Sequence, residues 1–213
     1  MQARELTPAR LLAAYAAGIF PMAAHRGDTG LIWLDPPRRG VMPLGGFRIS
    51  RSLRRRLRRR DHAITVDEAF GDVVAACADR PETWISHDLA SLYAAVHARG
   101  HAHSLEVWQG GALAGGVFGV TLGAAFFGES MVSCRTDGSK MALAYLVDRL
   151  RMGGFTLFDV QFLTDHLASL GAVEIGRGAY RAALSEALSA EAAFLSPATP
   201  SPEALVQRST QTS

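Results

Sequence analysis

The sequence predicts an α/β protein, specifically an α+β arrangement around one mixed or antiparallel sheet, and three observations carry that expectation. Between His101 and Ser133 lie three long runs of strand-forming residues separated by Gly110-Gly111 and Gly123, the pattern of an antiparallel meander. On either side, apolar residues recur at helical spacing, as in Phe70, Val73, Val74, Cys77 and Leu89, Leu92, Tyr93, Val96. Strands and helices therefore alternate in blocks, and such a succession buries a sheet under helices.

Taken in order, the chain begins with a helix at Pro8, since Thr7-Pro8 supplies a cap and a proline at the first helical position, and Gly18 supplies a stop. The charge-free run from Leu11 to Ala24 is thus a short helix and its exit, not the apolar core of a signal peptide. An irregular loop from Pro21 to Gly30 follows, then an extended Leu31–Leu34 broken at Pro36-Pro37. Ser50 can cap the next helix. There Ile49, Leu53 and Leu57 recur every four residues, and Arg51, Arg54, Arg55, Arg58 and Arg59 project outward as a basic face.

Residues 1–61 read as a small N-terminal α/β domain that ends with this basic helix. From His62 the order is a strand, a helix over Asp67–Cys77, a helix over Ser86–Arg99 and the three-strand meander. A helix over Ser139–Arg151 closed by Gly153-Gly154 follows, and then a strand, a helix, a short strand and a helix. Residues 62–195 make up this main domain. The segment 196–213, PATPSPEALVQRSTQTS from Pro197 onward, is poor in aromatics and rich in Pro, Ser and Thr, so a disordered tail is expected.

Composition narrows the function. A chain of 213 residues with 48% hydrophobic residues can bury a sizeable core. The formal net charge is only +2, so any nucleic-acid contact has to come from a local patch such as the arginine helix. No apolar stretch approaches a transmembrane length, and no membrane partner is expected. Cys77 and Cys134 stand apart without a Cys-x-x-Cys pattern, which argues against zinc and a disulfide framework and for a cytoplasmic location. His101 and His103 could share a strand face, but no third ligand lies nearby in sequence, so no metal is expected.

Two acids sit where apolar residues should be. Glu129 follows the run Ala124–Gly128, and Asp159 is flanked by Leu157, Phe158 and Val160, with Gln161 two residues on and hence on the same face of a strand. A carboxylate in such a place is costly unless it is hydrogen-bonded or serves chemistry. For either acid alone, a satisfied core polar group would be the ordinary reading.

The strings HAHSLEVW, GGVFGV, FFGESM and DVQFLTDHLASLGAVEI, with AYAAGIFPM upstream, closely resemble the leucyl/phenylalanyl-tRNA-protein transferases from about Thr7 to Leu188. The resemblance implies a GNAT-type acyltransferase fold for the larger domain. It also implies transfer of Leu or Phe, less readily Met, from aminoacyl-tRNA to proteins beginning with Arg or Lys, which marks them for degradation. It implies aminoacyl-tRNA and acceptor proteins as partners and no cofactor; a monomer is expected. By the same resemblance, Asp159 polarises Gln161, whose side-chain oxygen receives the amine proton, and Glu129 anchors the donor's α-ammonium. The aminoacyl pocket falls on Tyr15, Met22, Trp84, Tyr93, Val117, Phe126, Leu143, Leu146 and Leu150.

Departures from that family's pattern are Met22 where tryptophan is common, Val132 and Cys134 in GESMVSC, and Gly176 in place of a proline. Two other functions compete. An acetyl-coenzyme A dependent GNAT enzyme would need a glycine-rich pyrophosphate loop, and VSCRTDGSK, with only Gly138, lacks one. A non-catalytic RNA-binding protein would account for the arginines, although charge runs are usually solvated faces, and it leaves Glu129, Asp159 and Gln161 without a role.

Overall fold

The computed structural model describes residues 6–210, and its centre is a seven-stranded sheet in the order β4-β5-β6-β7-β8-β3-β9. The strands are β3 (Arg38–Val41), β4 (Ala63–Val66), β5 (Ala102–Gln109), β6 (Ala112–Leu122), β7 (Ala125–Ser133), β8 (Leu157–Gln161) and β9 (Val173–Gly176). A separate two-stranded ribbon pairs β1 (Phe20–Met22) with β2 (Ile32–Leu34). Every neighbouring pair in the large sheet is antiparallel except β7 with β8. The mixed, largely antiparallel sheet bears out the expected fold class.

Helices cover both faces. One face packs against α1 (Pro8–Ala16), α3 (Phe70–Ala78), α4 (His87–His97) and α7 (Arg177–Leu188), the other against α2 (Arg51–Leu57), α5 (Gly138–Met152) and α8 (Pro202–Thr210). A short α6 (Asp165–Ser169) joins β8 to β9. The two stripes read from sequence, Phe70-Val73-Val74-Cys77 and Leu89-Leu92-Tyr93-Val96, are all buried, as amphipathic helices on a sheet require. Caps form where Ser and Thr precede helices: the Oγ1 of Thr7 accepts from Arg10 N, and the hydroxyls of Ser50 and Ser86 accept from Leu53 N and Leu89 N.

Two sequence expectations change. Residues 1–61 were set apart as a small domain, yet β3 lies inside the main sheet, hydrogen-bonded to β8 on one side and β9 on the other. A four-residue strand beside Pro36-Pro37 carries too little pattern to be seen. The tail at 196–213 was expected to be disordered, but Pro202–Thr210 forms α8, with Leu205 and Val206 buried against α5. Its docking satisfies a polar group that α5 buries, as Arg208 pairs with Asp148 at 2.9 Å, while the segment before it supplies the Phe194 carbonyl, to which Arg149 donates at 2.7 Å. The last three residues lie outside the described residues.

The pairing of β7 with β8 positions the site. It runs from Ala125/Leu157 only to Phe127/Asp159, after which the parallel strands part. β7 continues from Gly128 to Ser133 against β6, while β8 ends against β3, and a cleft opens between them.

Candidate active site

A cavity of about 510 Å³ occupies this cleft. Its walls include Met22, Trp84, Val117, Met131, Leu143 and Phe158, and its polar lining includes Glu129 and Gln161, with Arg80, Ser130, Ser133, Ser139, Thr164 and His166. The volume falls within the range of about 300–1,000 Å³ usual for ligand pockets.

Glu129 reaches the cavity through a break in strand register. Phe118 pairs with Ser130 and Gly119 with Gly128, which leaves Glu129 as the extra residue of a β-bulge. Gly119 permits the bulge, since a Cβ there would collide with the main-chain oxygen of Phe127 and the ring of Phe126. The buried carboxylate is held by two phenols: Tyr15 donates to Oε1 at 2.6 Å and Tyr93 to Oε2 at 2.7 Å. Burial raises its pKa from 4.5 to about 7, against the opposing pull of the two hydroxyls. Both tyrosines are themselves pushed well above their ordinary value, by burial first and by the charge of Glu129 second.

Asp159 is fully buried and does not line the cavity. Arg39, also buried, grips it with Nε to Oδ1 at 2.9 Å and Nη2 to Oδ2 at 2.7 Å, and the Tyr180 hydroxyl donates to Oδ2 at 2.7 Å. The guanidinium lies over the rings of Phe20 and Tyr180, at 4.4 and 4.5 Å from their centroids, and donates to the carbonyl of Gly18. Burial opposes the charge on Arg39, but its bonds to Asp159 outweigh this and raise its pKa. Burial, then the Asp159 charge, raises that of Tyr180.

The expected link between Asp159 and Gln161 is present in a different form. Asp159 Oδ1 accepts from the main-chain N–H of Gln161 at 2.8 Å, not from its side chain. Gln161 has φ of +58°, and Phe162 N donates to Val160 O at 2.7 Å across it, so strand geometry ends in a γ-turn. Simple alternation therefore fails at this residue: Asp159 faces Arg39 and Tyr180, while Gln161 lines the cavity. Gly40, paired with Gln161, allows the turn because a Cβ there would sit 2.8 Å from the carbonyl carbon of Phe162. The side chain of Gln161 is buried, and its Nε2 has no hydrogen-bond partner.

Of the nine residues assigned to the aminoacyl pocket, Met22, Trp84, Val117 and Leu143 line the cavity. Tyr15 and Tyr93 stand behind it as the supports of Glu129. Phe126, Leu146 and Leu150 belong to the core packed around α5. Sequence reasoning missed Arg39 and Tyr180, because an arginine beside Pro-Pro and a tyrosine on a helix have no local pattern that marks them as partners of a residue 120 or 21 positions away. On α2, Leu53 and Leu57 are buried and Arg51 and Arg55 are exposed, but Arg54 is half-buried, and the helix ends at Leu57, so the exposed Arg58 and Arg59 lie just beyond it. Among the described residues no group of three potential ligands could hold a metal, and His103 bonds to Asp67 instead.

The sheet and its cleft define an α/β fold that matches the crystal structure of FemX with a TM-score of 0.52 at 12% identity, covering 78% of this chain and 66% of that one. The leucyl/phenylalanyl-tRNA protein transferase family profile matches residues 41–185, and the profile of that family's N-terminal domain matches residues 4–37. This chain belongs to that family. It is 63% identical over 209 residues to the leucyl/phenylalanyl-tRNA–protein transferase of Cereibacter sphaeroides (strain ATCC 17025), covering 98% of each. It is 60% identical to that of Ruegeria pomeroyi, covering 98% of this chain and 99% of the relative.

Proposed function

We propose that this chain transfers Leu or Phe, and less readily Met, from aminoacyl-tRNA to the α-amino group of proteins beginning with Arg or Lys, marking them for degradation in the cytoplasm. The observation that supports this best is the cavity itself, a largely apolar slot whose lining includes Glu129 and Gln161, in a chain so similar to relatives of that name. The donor's side chain enters the slot between Met22, Trp84, Val117 and Leu143, and its α-ammonium meets Glu129. The acceptor amine attacks the ester carbonyl, a peptide bond forms, and the amine proton passes by way of the Gln161 carboxamide to the leaving ribose oxygen. An α-amino group with a pKa of about 7.7–8.0 is already neutral in roughly a tenth of molecules at pH 7, so positioning counts for more than base strength. Asp159 orients Gln161 through its main chain, and the exposed arginines of α2 hold tRNA phosphates.

The arrangement before α5 gives acetyl-coenzyme A little to bind. Gly138 N donates to Arg135 O and Ser139 N to the Ser133 hydroxyl, so these amides are not free for a pyrophosphate. Incubating the protein with labelled Leu-, Phe-, Met- and Val-tRNA and peptides beginning with Arg, Lys or Ala tests the proposal. Transfer of Leu and Phe, and more weakly of Met, to the Arg and Lys peptides alone is expected, and transfer only from an acyl thioester would overturn it.

A further inference from the structure

We infer that Gln161 acts through both polar atoms of its carboxamide, and that its Nε2 is the donor that stabilises the oxyanion formed during transfer. The inference rests on the aminoacyl-transfer reading and adds to it a catalytic role for the second atom of the group. Gln161 lines the cavity, its Nε2 is buried and donates to nothing, and the residue is held at φ of +58°. A buried N–H without an acceptor is costly, and so is such a backbone conformation in a residue other than glycine. The structure sustains both by fixing the Gln161 main chain to Asp159, which Arg39 and Tyr180 hold in turn. An acceptor that arrives only with substrate accounts for the empty donor.

The reaction supplies that acceptor at the required place. When the amine nitrogen bonds to the ester carbon, the carbonyl π electrons move onto oxygen, and the tetrahedral carbon then carries an oxyanion and an N–H on neighbouring bonds. The oxygen and nitrogen of a carboxamide likewise share one carbon. Oε1 can accept from the amine N–H while Nε2 donates to the oxyanion. Collapse restores the C=O, breaks the bond to the ribose oxygen, and delivers the amine proton to that oxygen. A donor that meets its charge only in the transition state accelerates the chemical step without tightening substrate binding.

The test compares single-turnover transfer from Leu-tRNA to an Arg-initiated peptide by the wild-type protein, Q161E and Q161M, with folding checked by thermal melting. Q161E keeps an acceptor oxygen but has no donor when ionised, so at pH 8 its rate should fall about 10²- to 10³-fold, as for loss of one oxyanion donor. As pH is lowered, its new carboxyl regains a proton, and the ratio of its rate to wild type should rise. For Q161M that ratio should stay flat. A Q161E rate within threefold of wild type at pH 8, or a deficit as flat with pH as that of Q161M, overturns the donor role. A second measurement does not depend on Q161E folding. Wild-type protein should lose about 10²-fold in affinity for a tetrahedral 3′-phosphonate mimic of leucyl-adenosine on mutation to Q161M, and little for the planar 3′-amide; equal losses overturn the inference. An inactive wild-type protein would instead remove the transferase reading on which it rests.

Discussion

Replacing Glu129 by Gln should stabilise the protein at alkaline pH, and the size of the effect follows from how the carboxyl is held. Its pKa stands at about 7 against 4.5 because burial penalises the charge more than the hydroxyls of Tyr15 and Tyr93 compensate it. Between those values the folded state holds a proton that the unfolded chain releases. The associated stability is therefore complete below pH 4.5 and is lost as pH rises through about 7. A rise from 4.5 to about 7, at about 1.4 kcal/mol per pH unit, amounts to about 3 kcal/mol in full. Glutamine is nearly isosteric and carries no charge to desolvate, so it should escape this loss. Urea unfolding of wild type and Glu129→Gln at a series of pH values isolates the difference between them. From pH 5 to pH 8.5 it should grow in favour of the variant by about 2–3 kcal/mol, or roughly 4–12 °C in melting temperature. A difference flat to within about 0.5 kcal/mol over that range would refute the account, and so would a wild-type advantage at high pH. Transfer activity should move the other way, since the variant cannot meet the donor's ammonium with a charge.

Three further outcomes test other parts of the structure. Arg39→Met should lower unfolding free energy by about 3–5 kcal/mol, because Asp159 is left buried without its cation; a chemical denaturation loss below about 1 kcal/mol would show that the pair is not a structural anchor. Met22→Trp should sharpen discrimination between donors, with less use of Met-tRNA and Phe-tRNA relative to Leu-tRNA, since a rigid ring replaces a side chain with three rotatable bonds; unchanged donor ratios in competition assays would place residue 22 outside the selecting wall. Replacing Arg54, Arg55 and Arg58 by Gln should weaken all tRNAs alike and flatten the salt dependence by about 0.7–0.9 log units per lost phosphate contact, with the half-buried Arg54 contributing least; an unchanged slope in filter binding would mark the helix as a solvated face.

The sequence made helices and the long meander readable because they carry periodicity over nine or more residues, as α3 and β6 do. It also located both acids, since a carboxylate inside an apolar run stands out wherever it occurs. What it could not supply was three-dimensional partnership. Arg39 and Tyr180 meet Asp159 only through the placement of β3 and α7. Gln161 leaves strand geometry because a main-chain bond and a close approach by Gly40 turn it, and no local propensity announces a positive φ at glutamine. The helix in the tail is hidden for a different reason. Ser201-Pro202-Glu203 is a legible helix start, with the Ser201 hydroxyl accepting from Ala204 N, but the surrounding Pro and Thr content obscured it.

The position of β3 also bears on when the protein becomes competent during its own synthesis. The strand is complete by residue 41, yet both of its sheet neighbours, β8 and β9, come from residues 157–161 and 173–176. A ribosome must therefore add well over a hundred residues before Arg39 can find its acid, and such distant pairings are the slow part of assembling a sheet. The meander and its helices, all contiguous in the chain, can organise first and leave an open seam along β7. The seam between β7 and β3 is thus the last to close, and a nascent chain that has not yet supplied β8 lacks both Asp159 and Gln161.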